Sequence, residues 1–244
     1  AEYTLGQVAL GIEDYYLGIG EAPGVWAGRW APALGLEGVV EAGDLRALVN
    51  GVDPRDHTWW FEGRPPRRVN AFDATFSAPK SASVLWAFAS PEVASVVSRA
   101  HVQAVAEALE FLETRAAVSR QQSSGIRTRV ATDGWAVATF VHRTSRAGDP
   151  QLHTHCVIPN VVRRADGSHA SADGAVLYTW AKAAGSIYQE QLRRILSAEL
   201  GVAWGPDRNG CREMVGFSAA QLRAFSKRTS AIDAYLERSD GVYV

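Results

Sequence analysis

The sequence is poor in cysteine, lysine and methionine, and it has no long apolar run. Two cysteines, Cys156 and Cys211, cannot build a disulfide framework, so a reducing compartment is the default. No stretch approaches the ~20 apolar residues of a transmembrane helix, and no secretory leader is visible. These absences argue against membrane insertion and predict a cytoplasmic protein. The chain opens on Ala1 rather than Met, which points to a piece trimmed from a longer product. A strong charge of either sign is also missing: the formal net charge is −1 and the pI about 6.7. Nucleic-acid binders are usually basic overall, so bulk charge lends that class no support. Internal repeats and low-complexity segments are absent too, which excludes a repeat array.

What is present is apolar content and arginine. The 244 residues are 47% hydrophobic, enough for one large domain or two small ones. Of the 25 basic residues only Lys80, Lys182 and Lys227 are lysines. The arginines cluster as Arg64, Arg67 and Arg68, as Arg120, Arg127 and Arg129, and as Arg143, Arg146, Arg163 and Arg164. Arginine binds phosphate bidentately and stacks on bases.

The most informative stretch is FVHRTSRAGDPQLHTHCVIPN, residues 140–160. His153 and His155 are two apart, and in a strand such residues share a face. His142 closes a strand-like run from Trp135, with Val137, Thr139, Phe140 and Val141 and no breaker. Thr144 to Pro150, with Ser145, Gly148 and Asp149, reads as a turn. Two antiparallel strands joined there bring three imidazoles to one face. Three neutral imidazoles form an open metal site, with positions left for substrate. Such a site accepts divalent Mg, Mn, Zn, Ni or Cu.

Elsewhere the periodicities predict an ordinary set of elements. Leu5, Val8, Ala9 and Ile12 give a short helical face. Residues 25–66 are weakly patterned, with Trp26, Trp30, Leu34, Leu36, a short helix from near Asp44, then Trp59, Trp60 and a Pro65-Pro66 break. Val69 to Phe76 alternates as a strand, with Asp73 and Thr75 facing away from Phe72 and Ala74. Ser77 then caps a helix with Pro79 in its first turn. Asp73 is a solvent-face aspartate, a partner that orients a histidine ligand, or a proton acceptor. Pro91 to Ala116 is a long helix with Val93, Val97, Ala100, Ala104, Ala108 and Leu112 on one stripe. Ser119 to Asp133 is a polar loop or hairpin, and Asp166-Gly167 a turn. Thr179 to Leu200 is a helix ended by Gly201. Ser218 and Gln221 form a capping-box pattern opening a helix from Ala219 to about Glu237. The key strands are hairpin-linked, so the fold class is α+β: an antiparallel sheet with helices packed on it.

PQLHTH, followed by an apolar strand and Asn160, with His142-x-x-Ser145-Arg146 upstream, resembles the three-histidine motif of conjugative relaxases of the HUH superfamily. The match is to the MobF type, in which a relaxase domain precedes a helicase. FDATFSAPKSASVLW, from Phe72, resembles the second relaxase motif, whose aspartate lies at the metal site; Asp73 holds that position. DYYLG followed by EAPGVW resembles the second tyrosine pair, led by Tyr15. EYTLG falls where the first pair belongs, led by Tyr3, with Thr4 where the family often has tyrosine. The strand that the family places before its first tyrosine is missing. The resemblance runs from about Tyr3 to the end of the chain. It implies a two-layer relaxase architecture and one relaxase domain over 1–244, the N-terminal part of a longer relaxase-helicase.

The resemblance also implies the chemistry. A tyrosine attacks one phosphodiester of single-stranded DNA at an origin of transfer, beside a hairpin. A 5′-phosphotyrosyl link and a free 3′-hydroxyl result, and a second tyrosine ends the transfer. A tyrosine hydroxyl, with a pKa near ~10, needs help, and a divalent metal on His142, His153 and His155 polarises the phosphate. Tyr3 starts the reaction and Tyr15 serves the second transfer. In a helix Tyr15 and Tyr16 stand about 100° apart, so one faces the metal and the other packs. Arg127, Arg129 and Arg146 are the candidate DNA contacts. Accessory relaxosome proteins and a type IV secretion coupling protein are the implied partners, a bacterial cytoplasm with export to the recipient cell the implied location, and a monomer the implied state. Competing readings are a phosphodiester hydrolase using metal-bound water, and a non-catalytic metal-stabilised DNA-binding module.

Overall fold

Two neighbouring strands, β5 (Val137–Thr144) and β6 (Pro150–Pro159), form the middle of a four-stranded sheet. Only residues 145–149 join them, too few for a parallel crossover, so the pair is antiparallel. The turn is closed by Ser145 N to Asp149 O at 2.9 Å and Gly148 N to Ser145 O at 2.9 Å. In this computed structural model, which describes residues 23–227, the sheet order is β1-β5-β6-β2, with β1 at Val25–Ala27 and β2 at Ala71–Ser77. β1 pairs antiparallel with β5 through Trp26 opposite Ala138. β2 runs antiparallel to β6, since Asn160 N meets Asn70 O while Ala78 N meets Leu152 O. The tyrosine positions 3, 15 and 16 and the face from Leu5 to Ile12 lie outside the described residues, as does the chain beyond Lys227.

The helices are α1 (Ala42–Asn50), α2 (Lys80–Phe88), α3 (Pro91–Ala116), α4 (Gly174–Leu200) and α5 (Ala219–Ala224). Two small ribbons lie outside that sheet, β3 (Val118–Ser123) with β4 (Ile126–Ala131), and β7 (Val162–Arg163) with β8 (His169–Ala170). The expected α+β class with an antiparallel sheet is the one observed. Among the described residues no helix is long and apolar enough to cross a membrane.

Contacts divide the chain into two compact units. The first comprises described residues 23–76, 106–141 and 154–185. Its core gathers Trp26, Trp30, Leu34, Leu45, Leu48 and Phe61 with Ala138 and Phe140 of β5 and Val157 of β6. The weakly patterned stretch 25–66 therefore supplies much of the core. The second unit comprises 77–105, 142–153 and the described residues from 186. Within it, Ser83 Oγ of α2 accepts from Leu152 N at 3.0 Å, and His101 of α3 meets Tyr188 of α4.

Several boundaries differ from the sequence reading, each for a local reason. Ser77 belongs to β2, and Pro79 is the N-cap of α2, with no side-chain cap of its own. Glu213, distant in sequence, takes the role: its carboxylate accepts from Lys80 N at 3.2 Å and Ser81 N at 2.7 Å. The polar stretch after α3 is a hairpin. Its turn residues Ser124 and Gly125 both have positive φ, 50° and 81°, as a tight two-residue turn requires. α4 begins five residues before Thr179, because the Asp173 carbonyl accepts from Val176 N and Leu177 N. The Ser218–Gln221 capping box is present as predicted.

Candidate metal centre

His142 lies on β5, and His153 and His155 lie on β6. Strand alternation puts His142 on the same face as Ala138 and Phe140. It puts His153 and His155 on the same face as Val157. Ala138, Phe140 and Val157 are core residues of the first unit, so the histidines continue the rows that begin as apolar packing. The three histidines are 7%, 8% and 7% exposed, and their candidate ligand atoms all lie within 4.8 Å of one another. The His142 and His153 rings stand edge to face at 5.3 Å and 89°.

Hydrogen bonding sets which nitrogen faces inward. His153 Nδ1 is 2.9 Å from Gln151 O, a group that only accepts, so Nδ1 carries the proton and Nε2 the lone pair. His155 Nδ1 is 2.7 Å from Asp73 Oδ2 on β2, with the same consequence. Asp73 therefore sits where one of its sequence readings put it, against a histidine, with its side chain 35% exposed. Thr75 lies beside both: its Oγ1 is 3.2 Å from Asp73 Oδ1 and 3.1 Å from His155 Nδ1. Three imidazoles whose candidate ligand atoms converge, two of them through Nε2, fit a divalent cation, and as neutral ligands they would leave its charge uncompensated.

The predicted arginines are dispersed. Arg127 and Arg129 lie on β4, both exposed. Arg129 Nε is 3.0 Å from Asp173 Oδ2, and its cross-strand partner Arg120 has Nε 3.6 Å from Oδ1 of the same buried carboxylate. Arg146 is exposed in the β5–β6 turn. The remaining described histidines contribute no ligand atom to the cluster. His101 is fully buried against Tyr188, and His169 stacks on Trp60 with ring centroids 4.3 Å apart. Sequence reasoning placed Thr75 on the face of Asp73 but gave it no role. The i, i+2 spacing from Asp73 was the available signal.

A family model described as TrwC relaxase matches residues 1–243. Two curated relatives, both described as multifunctional conjugation protein TraI, come from Escherichia coli and from Escherichia coli strain K12. They are 33% and 32% identical over 230 residues, covering 90% of this chain. The chain spans 13% of the length of those relatives. Among solved structures, the conjugative relaxase TrwC in complex with oriT DNA, metal-bound, superposes with a TM-score of 0.86 at 30% identity. That match covers 95% of this chain and 80% of the other. A TrwC complex with a 27-mer DNA comprising the recognition hairpin and the cleavage site gives 0.85 at 30% identity, over 96% and 80%. A copper-bound TrwC complex gives 0.82 at 32% identity, over 96% and 80%.

Proposed function

The chain belongs to the TrwC relaxase family, and from that premise we propose that it nicks and rejoins single-stranded DNA at an origin of transfer by tyrosine transesterification. The observation that carries this reading is the convergence of His142, His153 and His155 within 4.8 Å on one hairpin. A divalent cation held there would supply charge stabilisation to the non-bridging oxygens of the scissile phosphate. His142, His153 and His155 would hold it, and Asp73 orients His155. The 2.7 Å contact between Asp73 Oδ2 and His155 Nδ1 supports that role.

Tyr3 is the first nucleophile in this reading and Tyr15, rather than its neighbour Tyr16, the second. The phenolic oxygen bonds to phosphorus and the bond from phosphorus to the 3′-oxygen breaks. The phenolic proton leaves to solvent, and the departing 3′-oxygen takes one up. One phosphodiester replaces another, so the step is reversible. Arg127, Arg129 and Arg146 contact DNA phosphates. Residues 1–244 constitute one relaxase domain at the start of a longer relaxase-helicase that acts as a monomer. That protein works in the bacterial cytoplasm with relaxosome partners and a type IV secretion coupling protein, and travels with its DNA to the recipient cell. Similarity to relatives whose names specify conjugation, and to structures holding oriT DNA, supports the role in conjugation and the DNA substrate.

The test is incubation of the 244-residue chain with manganese and single-stranded oligonucleotides spanning a candidate origin, resolved on a denaturing gel. A covalent protein–DNA band is expected. Tyr3→Phe abolishes it, and Tyr15→Phe leaves most of it, since phenylalanine keeps the ring and removes only the hydroxyl. Cleavage without any adduct identifies a hydrolase instead. Adduct formation by Tyr3→Phe but not Tyr15→Phe reverses the order of the tyrosines.

A further inference from the structure

Three atoms beside His155 form a closed triangle. Asp73 Oδ2 is 2.7 Å from His155 Nδ1, Thr75 Oγ1 is 3.1 Å from the same nitrogen, and Thr75 Oγ1 is 3.2 Å from Asp73 Oδ1. From this triangle we infer that Thr75 is a positioning residue of the metal centre: its hydroxyl locks the Asp73 carboxylate, and through it holds His155 in the tautomer that presents Nε2. The inference rests on reading the three-histidine cluster as a metal site.

The protons can be assigned by counting donors. The carboxylate only accepts. The 2.7 Å contact therefore contains a hydrogen from His155 Nδ1. That nitrogen then has no lone pair, so the single Thr75 hydrogen has one acceptor left in the triangle, Asp73 Oδ1. The Thr75 oxygen meanwhile offers a lone pair to the Nδ1–H as a second, longer acceptor. In the opposite tautomer, Nδ1 would turn a lone pair on both Asp73 Oδ2 and Thr75 Oγ1. The carboxylate thus disfavours the form in which Nε2 carries hydrogen and cannot bind a metal, and the Thr75 hydroxyl could serve that form only by giving up its bond to Asp73 Oδ1.

Thr75 suits this role by type and place. It follows Asp73 by two residues on β2, so both side chains leave the same face. Two heavy atoms on Cβ leave threonine few side-chain rotamers in a strand, which keeps the hydroxyl in place. Asp73 needs such a brace, because its side chain is 35% exposed and water competes for its oxygens. Thr75 is itself exposed, so it contributes little to packing. Valine at this position preserves the branched shape and the strand preference and removes only the hydroxyl.

The experiment measures manganese affinity by calorimetry on the 244-residue chain, and the His155 tautomer by nitrogen-15 chemical shifts on the metal-free protein. Thr75→Val is expected to melt at the parent temperature and to bind manganese about tenfold more weakly, the low end for loss of an outer partner of a ligand. Thr75→Ser is expected to restore most of the affinity. In an Asp73→Ala background, Thr75→Val is expected to add nothing, because the hydroxyl acts through the carboxylate. Without metal, Thr75→Val is expected to move His155 Nε2 towards the protonated shift. Parent-like affinity and an unmoved tautomer in Thr75→Val overturn the inference, as does a full effect in the Asp73→Ala background. His153→Ala tests the underlying reading separately: parent-like manganese binding by that variant removes the metal from the cluster, and the metal-free tautomer shift still decides on Thr75. If valine prevents folding, Thr75→Ala takes its place with the same expected results.

Discussion

His101 shows how differently one residue type behaves within a single chain. It lies in α3 with no exposed surface, and its Nδ1 is 2.7 Å from the Tyr188 hydroxyl. Burial disfavours its charged form and pushes its pKa down to about 3 from an ordinary 6.5, with the neighbouring His153 adding to the effect. Burial also holds the Tyr188 phenol protonated, well above its usual range. The unfolded chain takes up a proton at His101 that the folded chain refuses. The stability contribution is therefore complete above pH 6.5 and is lost as pH falls from there towards 3, at up to about 1.4 kcal/mol per pH unit. Urea denaturation at pH 7 and pH 4.5 is expected to show a larger acid loss in the parent than in His101→Gln, whose amide keeps a partner for Tyr188 without titrating. Parallel losses in the two proteins would show that His101 does not carry the effect. The same residue type at 153 and 155 does something else, because there Nδ1 donates to an oxygen that only accepts.

At the scale of the element, α2 is the instructive case. Its apolar positions and Pro79 marked it in the sequence, yet its first turn is completed from outside. The Glu213 carboxylate meets the Lys80 and Ser81 backbone N–H groups, while Ser81 Oγ accepts from Met214 N. A carboxylate there satisfies two orphan donors and sits at the positive end of the helix dipole. Glu213→Ala is expected to lower unfolding stability by about 1–2 kcal/mol, the usual cost of losing a cap. Glu213→Gln should recover part of it, since the amide oxygen still accepts. Equal denaturation midpoints for parent and Glu213→Ala would rule out the capping role. α3, by contrast, was legible to both ends, because its 26 residues carry an unbroken apolar stripe. The stretch 25–66 was not. Its tryptophans and leucines have no sustained period and become core only when Trp26 and Trp30 meet Phe140.

For the whole molecule the proposed function requires a chain of net charge −1 to bind a polyanion. Local presentation decides it. Arg129 and Arg120 share the buried Asp173 carboxylate, which ties that part of the β3–β4 ribbon down. Arg127, two residues from Arg129 along β4, is exposed. Affinity for single-stranded DNA is expected to fall steeply with salt, and Arg127→Ala to reduce the slope of log affinity against log salt by about one. Fluorescence anisotropy across a salt series reads both quantities. An unchanged slope in Arg127→Ala removes that residue from the contact.

By itself the sequence determined the elements that rest on local periodicity and the residues that one strand or one short turn brings together. His153 and His155 share a face because strands repeat every two residues, and His142 joins them because a five-residue turn closes the hairpin. Tertiary structure decided which partners arrive from far along the chain, and in the case of Asp73 which of three sequence readings holds. Asp73 reaches His155 across 82 positions, Glu213 reaches the start of α2 across more than 130, and Asp173 reaches Arg129 across 44. Such pairings depend on the β2–β6 register and on which polar groups burial leaves in need of a partner. Residue order carries no local trace of either.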